Sequence, residues 1–213
     1  MSQGISLRQA ERKVFATSFQ DGLWDVFMGC FVLMFALAPF LSTTGLGDFW
    51  SSVVFLPFWA AVYLAIRSIR KRVVAPRVGV VRFGPFRKAK LSRFVILALI
   101  VNVAGLVIGF LAARSSSRSG WAVLMPFAAL VLTMFSAAAY FLDCPRLYVY
   151  GVMVAAAPLV GEWLYVTLGA RHHGFPITFG TASGLMVGVG LIKFARLLRD
   201  HPVPGPHTSS VEP

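Results

Sequence analysis

SGWAVLMPFAALVLTMFSAAAYFL, residues Ser119–Leu142, runs for 24 residues without an Asp, Glu, Lys or Arg. Wound as a helix at 1.5 Å per residue, such a stretch is about 36 Å long, enough to cross a hydrocarbon core about 30 Å thick. Its apolar residues are continuous rather than strictly alternating, so it reads as a spanning helix and not as a barrel strand. The same pattern repeats outward on both sides. Residues 94–113, 49–66 and 26–47 are each free of charge, 147–161 is interrupted by Glu162 and resumes through Ala170, and the last such run extends from His172 to Ile192. Helices are expected at about 23–41, 50–66, 94–113, 121–142, 147–169 and 177–197. The fold class is therefore all-α, an integral membrane bundle of six transmembrane helices forming one domain over residues 1–199.

Composition agrees. Of the 213 residues, 57% are hydrophobic and 13% charged, against roughly 25% charged in an ordinary soluble domain. Mean hydropathy is +0.75. A disordered chain needs low hydrophobicity, and a disulfide scaffold needs more than the two cysteines present. A soluble enzyme could not cover so apolar a chain with so few charges. The first 20 residues carry Arg8, Glu11, Arg12 and Lys13 with no apolar core of a signal peptide, so the first hydrophobic run is expected to stay as a helix. Residues 200–213 are rich in proline and then in Ser and Thr, and are expected to be a disordered tail.

The net charge of +12 is distributed, not uniform. Under six-helix threading, 17 of the 20 Lys and Arg residues fall on one side of the membrane and 3 on the other. The positive-inside rule then places both termini in the cytoplasm. Ten of these cations lie in the acid-free connection 67–93, expected as a basic cytoplasmic loop, with Val78–Phe83 as a candidate short strand closed by Gly84-Pro85. Arg70, Lys71, Arg72, Arg77, Arg82, Arg87, Lys88 and Lys90 in that loop serve the topology signal, or form a patch for anionic head groups, each worth about 1 kcal/mol near a lipid surface. No nucleic-acid module surrounds them, so nucleic acid is not expected as a partner.

Three residues are candidates for an ion or substrate. Glu162 lies about 22 Å along its helix from Leu147, in the outer half of the membrane. A carboxylate there is costly unless paired, protonated or wet, and so can hold a proton or cation; the alternative is a hydrated position near the outer interface or a hydrogen bond to a neighbouring helix. Asn102, at the middle of helix three, is expected to hydrogen-bond another helix before any ligand. Asp25, in the segment Asp21-Gly22-Leu23-Trp24-Asp25, is expected to favour the helix dipole at the start of helix one, with substrate gating as the alternative. Pro39, Pro57, Pro126 and Pro158 all thread to the outer half, where broken helices around a polar cavity would suit a carrier. Gly105 and Gly109 in helix three, and Gly180, Gly184 and Gly188 in helix six, are spaced by four, a helix-packing signal for a neighbouring helix or a second copy of the chain. His172 and His173 with Asp48 form at most a weak metal set, and two loop histidines are the simpler account. No metal or cofactor is expected. No Walker loop, Gly-x-Ser-x-Gly or His-Glu-x-x-His occurs, so an enzymatic reading lacks a nucleophile and a metal box.

Gln20-Asp21-Gly22-Leu23-Trp24-Asp25 and Pro76-Arg77-Val78-Gly79-Val80-Val81-Arg82-Phe83 resemble segments of uncharacterised prokaryotic polytopic membrane proteins with six helices and a PRxGxVxF segment in a basic cytoplasmic loop. The resemblance covers the N-terminal part of the chain, to the start of helix three. It implies a bacterial or archaeal inner membrane and no particular activity. Two functional readings follow. In the first, the chain is a small carrier or channel using Glu162. In the second, it is a non-transporting scaffold, assembly factor or lipid-associated protein acting through 67–93.

Overall fold

A computed structural model describes residues 21–43, 53–78, 85–114 and 121–202. All the described residues with regular structure are helical, in six long helices. These are α1 (Leu23–Thr43), α2 (Phe55–Ile69), α4 (Pro85–Arg114), α5 (Trp121–Leu142), α6 (Arg146–Leu168) and α7 (Phe175–Asp200), with a short α3 (Ala75–Val78) after α2. Among the described residues, four segments are long and apolar enough to cross a membrane: Leu23–Leu41, Val123–Leu142, Arg146–Leu168 and Arg171–Asp200.

The segment 67–93 departs from expectation, because its described residues are helical rather than a loop. α2 runs on through a widened turn at Arg70–Val74, where the Ala75 N–H reaches back to the Arg70 carbonyl, and then into α3. Lys and Arg are good helix formers, so the helix has no reason to stop where the apolar residues do. The widened turn lies just before Pro76, a residue that can offer no backbone N–H to the turn preceding it. On the other side, α4 opens at Pro85, nine residues ahead of the expected start. The first helical position tolerates proline because its N–H would have no partner there anyway. Val78 belongs to α3, and the rest of the candidate strand lies outside the described residues, as does residue 203 onward of the expected tail.

In space the helices follow the order α2, α1, α7, α6, α5, α4, each packing chiefly on its neighbours in that series. Among the described helices the most extensive contact joins α1 and α7. Val32 of α1 and Met186 of α7 are fully buried there. Backbones approach closely at two levels. Gly22 has φ +76°, a conformation L side chains rarely adopt, and a Cβ on it would overlap the Gly190 carbonyl oxygen. A Cβ on Gly190 would in turn lie 2.7 Å from the Gly22 carbonyl oxygen. One level along, the Ser183 hydroxyl donates to the Gly29 carbonyl at 2.8 Å. An aromatic set fastens α2 to α1: the Trp59 ring is 5.0 Å from Phe27 and 4.9 Å from Phe31, and its N–H faces the Met34 sulfur.

The glycine spacing therefore marks packing only in part. Gly105 does pack, since a Cβ there would meet the Leu130 side chain of α5 at 2.9 Å. Gly180 makes an ordinary contact with Ala36, whereas Gly184 and Gly188 face open space. In α7 the close approach uses Ser183 and Gly190 instead, seven residues apart and so on one face after two turns. The surroundings of Gly109 lie outside the described residues. The outer faces of the helices are apolar: Leu99, Ile100 and Val103 of α4, Val149 and Val152 of α6 and Leu185 of α7 are all exposed. So broad an apolar surface exceeds the patches of a soluble monomer and suits a bilayer.

Gly190→Ala should lower stability by about 1–3 kcal/mol, because a methyl there forces α1 and α7 apart. Gly184→Ala should be neutral or stabilise by up to about 1 kcal/mol through helix propensity alone. Thermal unfolding of the two variants in detergent checks both signs.

Candidate functional site

At the end of the bundle where α1 begins, Asp21, Asp25 and Asp143 are each matched to a cation from another helix. Asp21 caps α1, its Oδ1 accepting the Leu23 N–H at 3.1 Å. Its Oδ2 accepts from both Nε and Nη2 of Arg70 at the end of α2, at 3.1 and 2.6 Å. The Arg70 guanidinium also lies 5.8 Å from the Trp24 ring centre. Asp25, one turn on, is 2% exposed. Its Oδ2 lies 3.0 Å from Arg146 at the start of α6 and 3.4 Å from Lys193 near the end of α7. The buried Tyr150 hydroxyl lies beside the same carboxylate. Lys90 of α4 bridges to Asp143 in the α5–α6 turn at 3.1 Å, and to the Tyr140 carbonyl at 3.1 Å. These pairs bring the starts of α1, α4 and α6 together with the ends of α2, α5 and α7, so neighbouring helices alternate in direction.

Asp25 thus does more than favour a helix dipole: it ties three helices, a role its sequence neighbourhood did not reveal. The only signal was that residues 25, 146 and 193 each stand at a span end on the same side. The basic residues of 67–93 divide into groups. Arg70 and Lys90 are committed to ion pairs. Lys71 and Arg72 are exposed, as are Arg67, Arg93, Arg196 and Arg199. Arg77 is half-buried, and its Nε and Nη1 are without a hydrogen-bond partner among the described residues. The Arg87 and Lys88 side chains and all of Arg82 lie outside the described residues.

Glu162 is near the opposite end. It is 7% exposed, and its Oε2 lies 2.8 Å from Nδ1 of His173, which is half-exposed. His173 stacks on Tyr165 with ring centres 4.2 Å apart. The local backbone makes this pairing: Gly169 closes α6 in a left-handed cap, its N–H on the Tyr165 carbonyl at 3.0 Å. Then His172, His173 and Gly174 all take positive φ, turning the chain sharply back into α7. Gly174 sits against Gly161, where a Cβ would lie 2.8 Å from the Gly161 carbonyl oxygen. His172 goes elsewhere, edge-on to Phe40 at 5.5 Å. Among the described residues no three His, Cys, Asp or Glu side chains form a metal-binding group; Asp48 lies outside them.

The three ion-site candidates do not converge. Asp25 and Glu162 occupy opposite ends of the bundle. Asn102 is exposed, and its Nδ2 donates to the Ala98 carbonyl of its own helix at 2.8 Å, not to another helix as expected. The prolines meet only in part. Pro39 and Pro158 line a cavity of about 300 Å³ between α1, α5, α6 and α7, with Phe35, Phe127, Phe175 and Phe179 among its other walls. Every lining residue is apolar, so this is not the polar cavity that broken helices suggested. Freed carbonyls at a proline need not face a cavity when the side chains around them are bulky.

Comparison with protein-family models, curated proteins and solved structures finds no match to this chain.

Asp25→Asn should destabilise by about 3 kcal/mol, toward the low end for a broken buried pair because Lys193 is partly exposed. Arg199→Ala, at an exposed pair, should change stability by less than about 0.5 kcal/mol. Chemical denaturation followed by tryptophan fluorescence distinguishes them.

Proposed function

We propose that the chain is a multi-pass protein of a prokaryotic cytoplasmic membrane that does not transport, and that it associates with anionic lipid head groups through its basic end. The observation that carries this reading is the division of labour among the cations. Asp21, Asp25 and Asp143 are matched by Arg70, Lys90, Arg146 and Lys193, while Arg67, Lys71, Arg72, Arg93 and Arg196 remain exposed around them. Exposed cations beside apolar helix faces stand at the level of lipid phosphates, where each contributes about 1 kcal/mol. The positive-inside rule sets this end in the cytoplasm. The carrier reading loses support from the same geometry: Glu162 is engaged by His173, Asn102 by its own helix, and the cavity between the prolines has no polar wall.

In mixed vesicles, spin-labelled phosphatidylglycerol should be enriched at the protein over phosphatidylcholine, and the preference should fade as salt rises. Replacing Lys71, Arg72, Arg93 and Arg196 by Gln should remove most of it; an unchanged preference would refute the assignment. Proton and monovalent-cation flux into proteoliposomes should equal that of protein-free vesicles, and Glu162→Gln should leave it unchanged.

A further inference from the structure

Pro158 and Glu162 stand four residues apart on α6 and so share one face, one turn from each other. Pro158 lines the apolar cavity; Glu162, a turn nearer the far end of the bundle, holds His173. Phe175 belongs to both places, lining the cavity and lying 5.8 Å from the His173 ring centre. Cavity and polar turn are therefore adjacent and share Phe175, with apolar walls on one side and basic residues on the other.

We propose that this site takes one acyl chain of an anionic phospholipid, with the lipid phosphate at Arg171 and His173. The order of chemistry along the bundle axis is that of a bilayer leaflet, charge at the helix ends and hydrocarbon beneath. The wholly apolar lining rejects a polar solute. At about 300 Å³ the cavity is at the lower limit of ordinary ligand sites, so it fits part of a single chain and not an entire lipid. The rim turn carries three consecutive basic residues, Arg171, His172 and His173. Arg171 is exposed. His173 would engage the phosphate as the imidazolium, its Nδ1–H donating to the Glu162 carboxylate and its Nε2–H to a phosphate oxygen. Arg171 supplies a fixed charge and a forked donor set suited to the same group. This site is separate from the basic end but, like it, depends on the chain being embedded in a bilayer.

The test uses the full chain in phosphatidylcholine vesicles with trace phosphatidylglycerol or phosphatidylcholine, each carrying a diazirine in one acyl chain. After irradiation, adducts are mapped by mass spectrometry. Adducts at Phe127 and Phe179 should exceed those at Leu99 on the lipid-facing side of α4, and should be more abundant with the phosphatidylglycerol probe. Ala38→Trp, which fills the cavity, should abolish the cavity adducts and spare Leu99. Val123→Trp at the exposed side of the cavity serves as a second block that does not disturb the core. Arg171→Gln with His173→Ala should equalise the two probes, whereas the Gln substitutions at the basic end should leave the cavity adducts intact. Equal labelling of Phe127 and Leu99, adducts that survive both blocking variants, or equal labelling by both probes in the unaltered protein would overturn the proposal.

Discussion

A carboxylate buried to the extent of Asp25 must be matched, and here it is matched twice, by Arg146 and by Lys193. Much of the arrangement depends on that requirement. The two cations come from different helices, so one acid on α1 holds α6 and α7 at a common level. The contact of Gly22 with Gly190 lies one turn away and lets α1 approach α7 closely enough for Lys193 to reach. Asp21 with Arg70 extends the same lock to α2, and Lys90 with Asp143 extends it to α4 and α5. In a low-dielectric surrounding such pairs offer little net stability over an apolar core, but breaking one strands a charge. Their effect is to make one packing order of similar apolar helices preferable to the others.

The opposite end is organised differently. Among the described residues a single ion pair, Glu162 with His173, stands there near a cavity with apolar walls. The pairing depends on three consecutive left-handed residues between α6 and α7. Such a turn is unfavourable for two histidines unless the surroundings hold it, and the Gly161–Gly174 contact together with the Glu162 hydrogen bond supplies that hold. One end of the bundle is thus bound by charge across many helices, the other by one tight turn over open apolar space.

Much of this was legible in the sequence. Charge-free runs of spanning length give the helices, because a backbone in hydrocarbon has few ways to satisfy its hydrogen bonds. The bias of Lys and Arg gives the common end, and the ion pairs of Asp21 with Arg70, Asp25 with Arg146 and Lys193, and Asp143 with Lys90 fall at that end. Helix limits were less legible. Hydropathy reports where a helix leaves the apolar phase, not where its backbone stops, so α2 and α4 run well past their apolar residues. Asn102 was misjudged because an amide can turn to its own helix as readily as to a neighbour's. The spacing of Gly180, Gly184 and Gly188 was genuine, but spacing shows only that residues share a face, not that the face is covered.

The sequence by itself determined that the described residues are helical, where the apolar runs lie along the chain and which ends are rich in charge. These follow from local hydropathy and the position of each charge along the chain. Only the tertiary structure decided which acid meets which cation, that Glu162 is held by His173, and that the proline-lined cavity is apolar. Those facts depend on helix rotation and on neighbour order in space, and apolar helices of similar composition leave both undetermined until they pack.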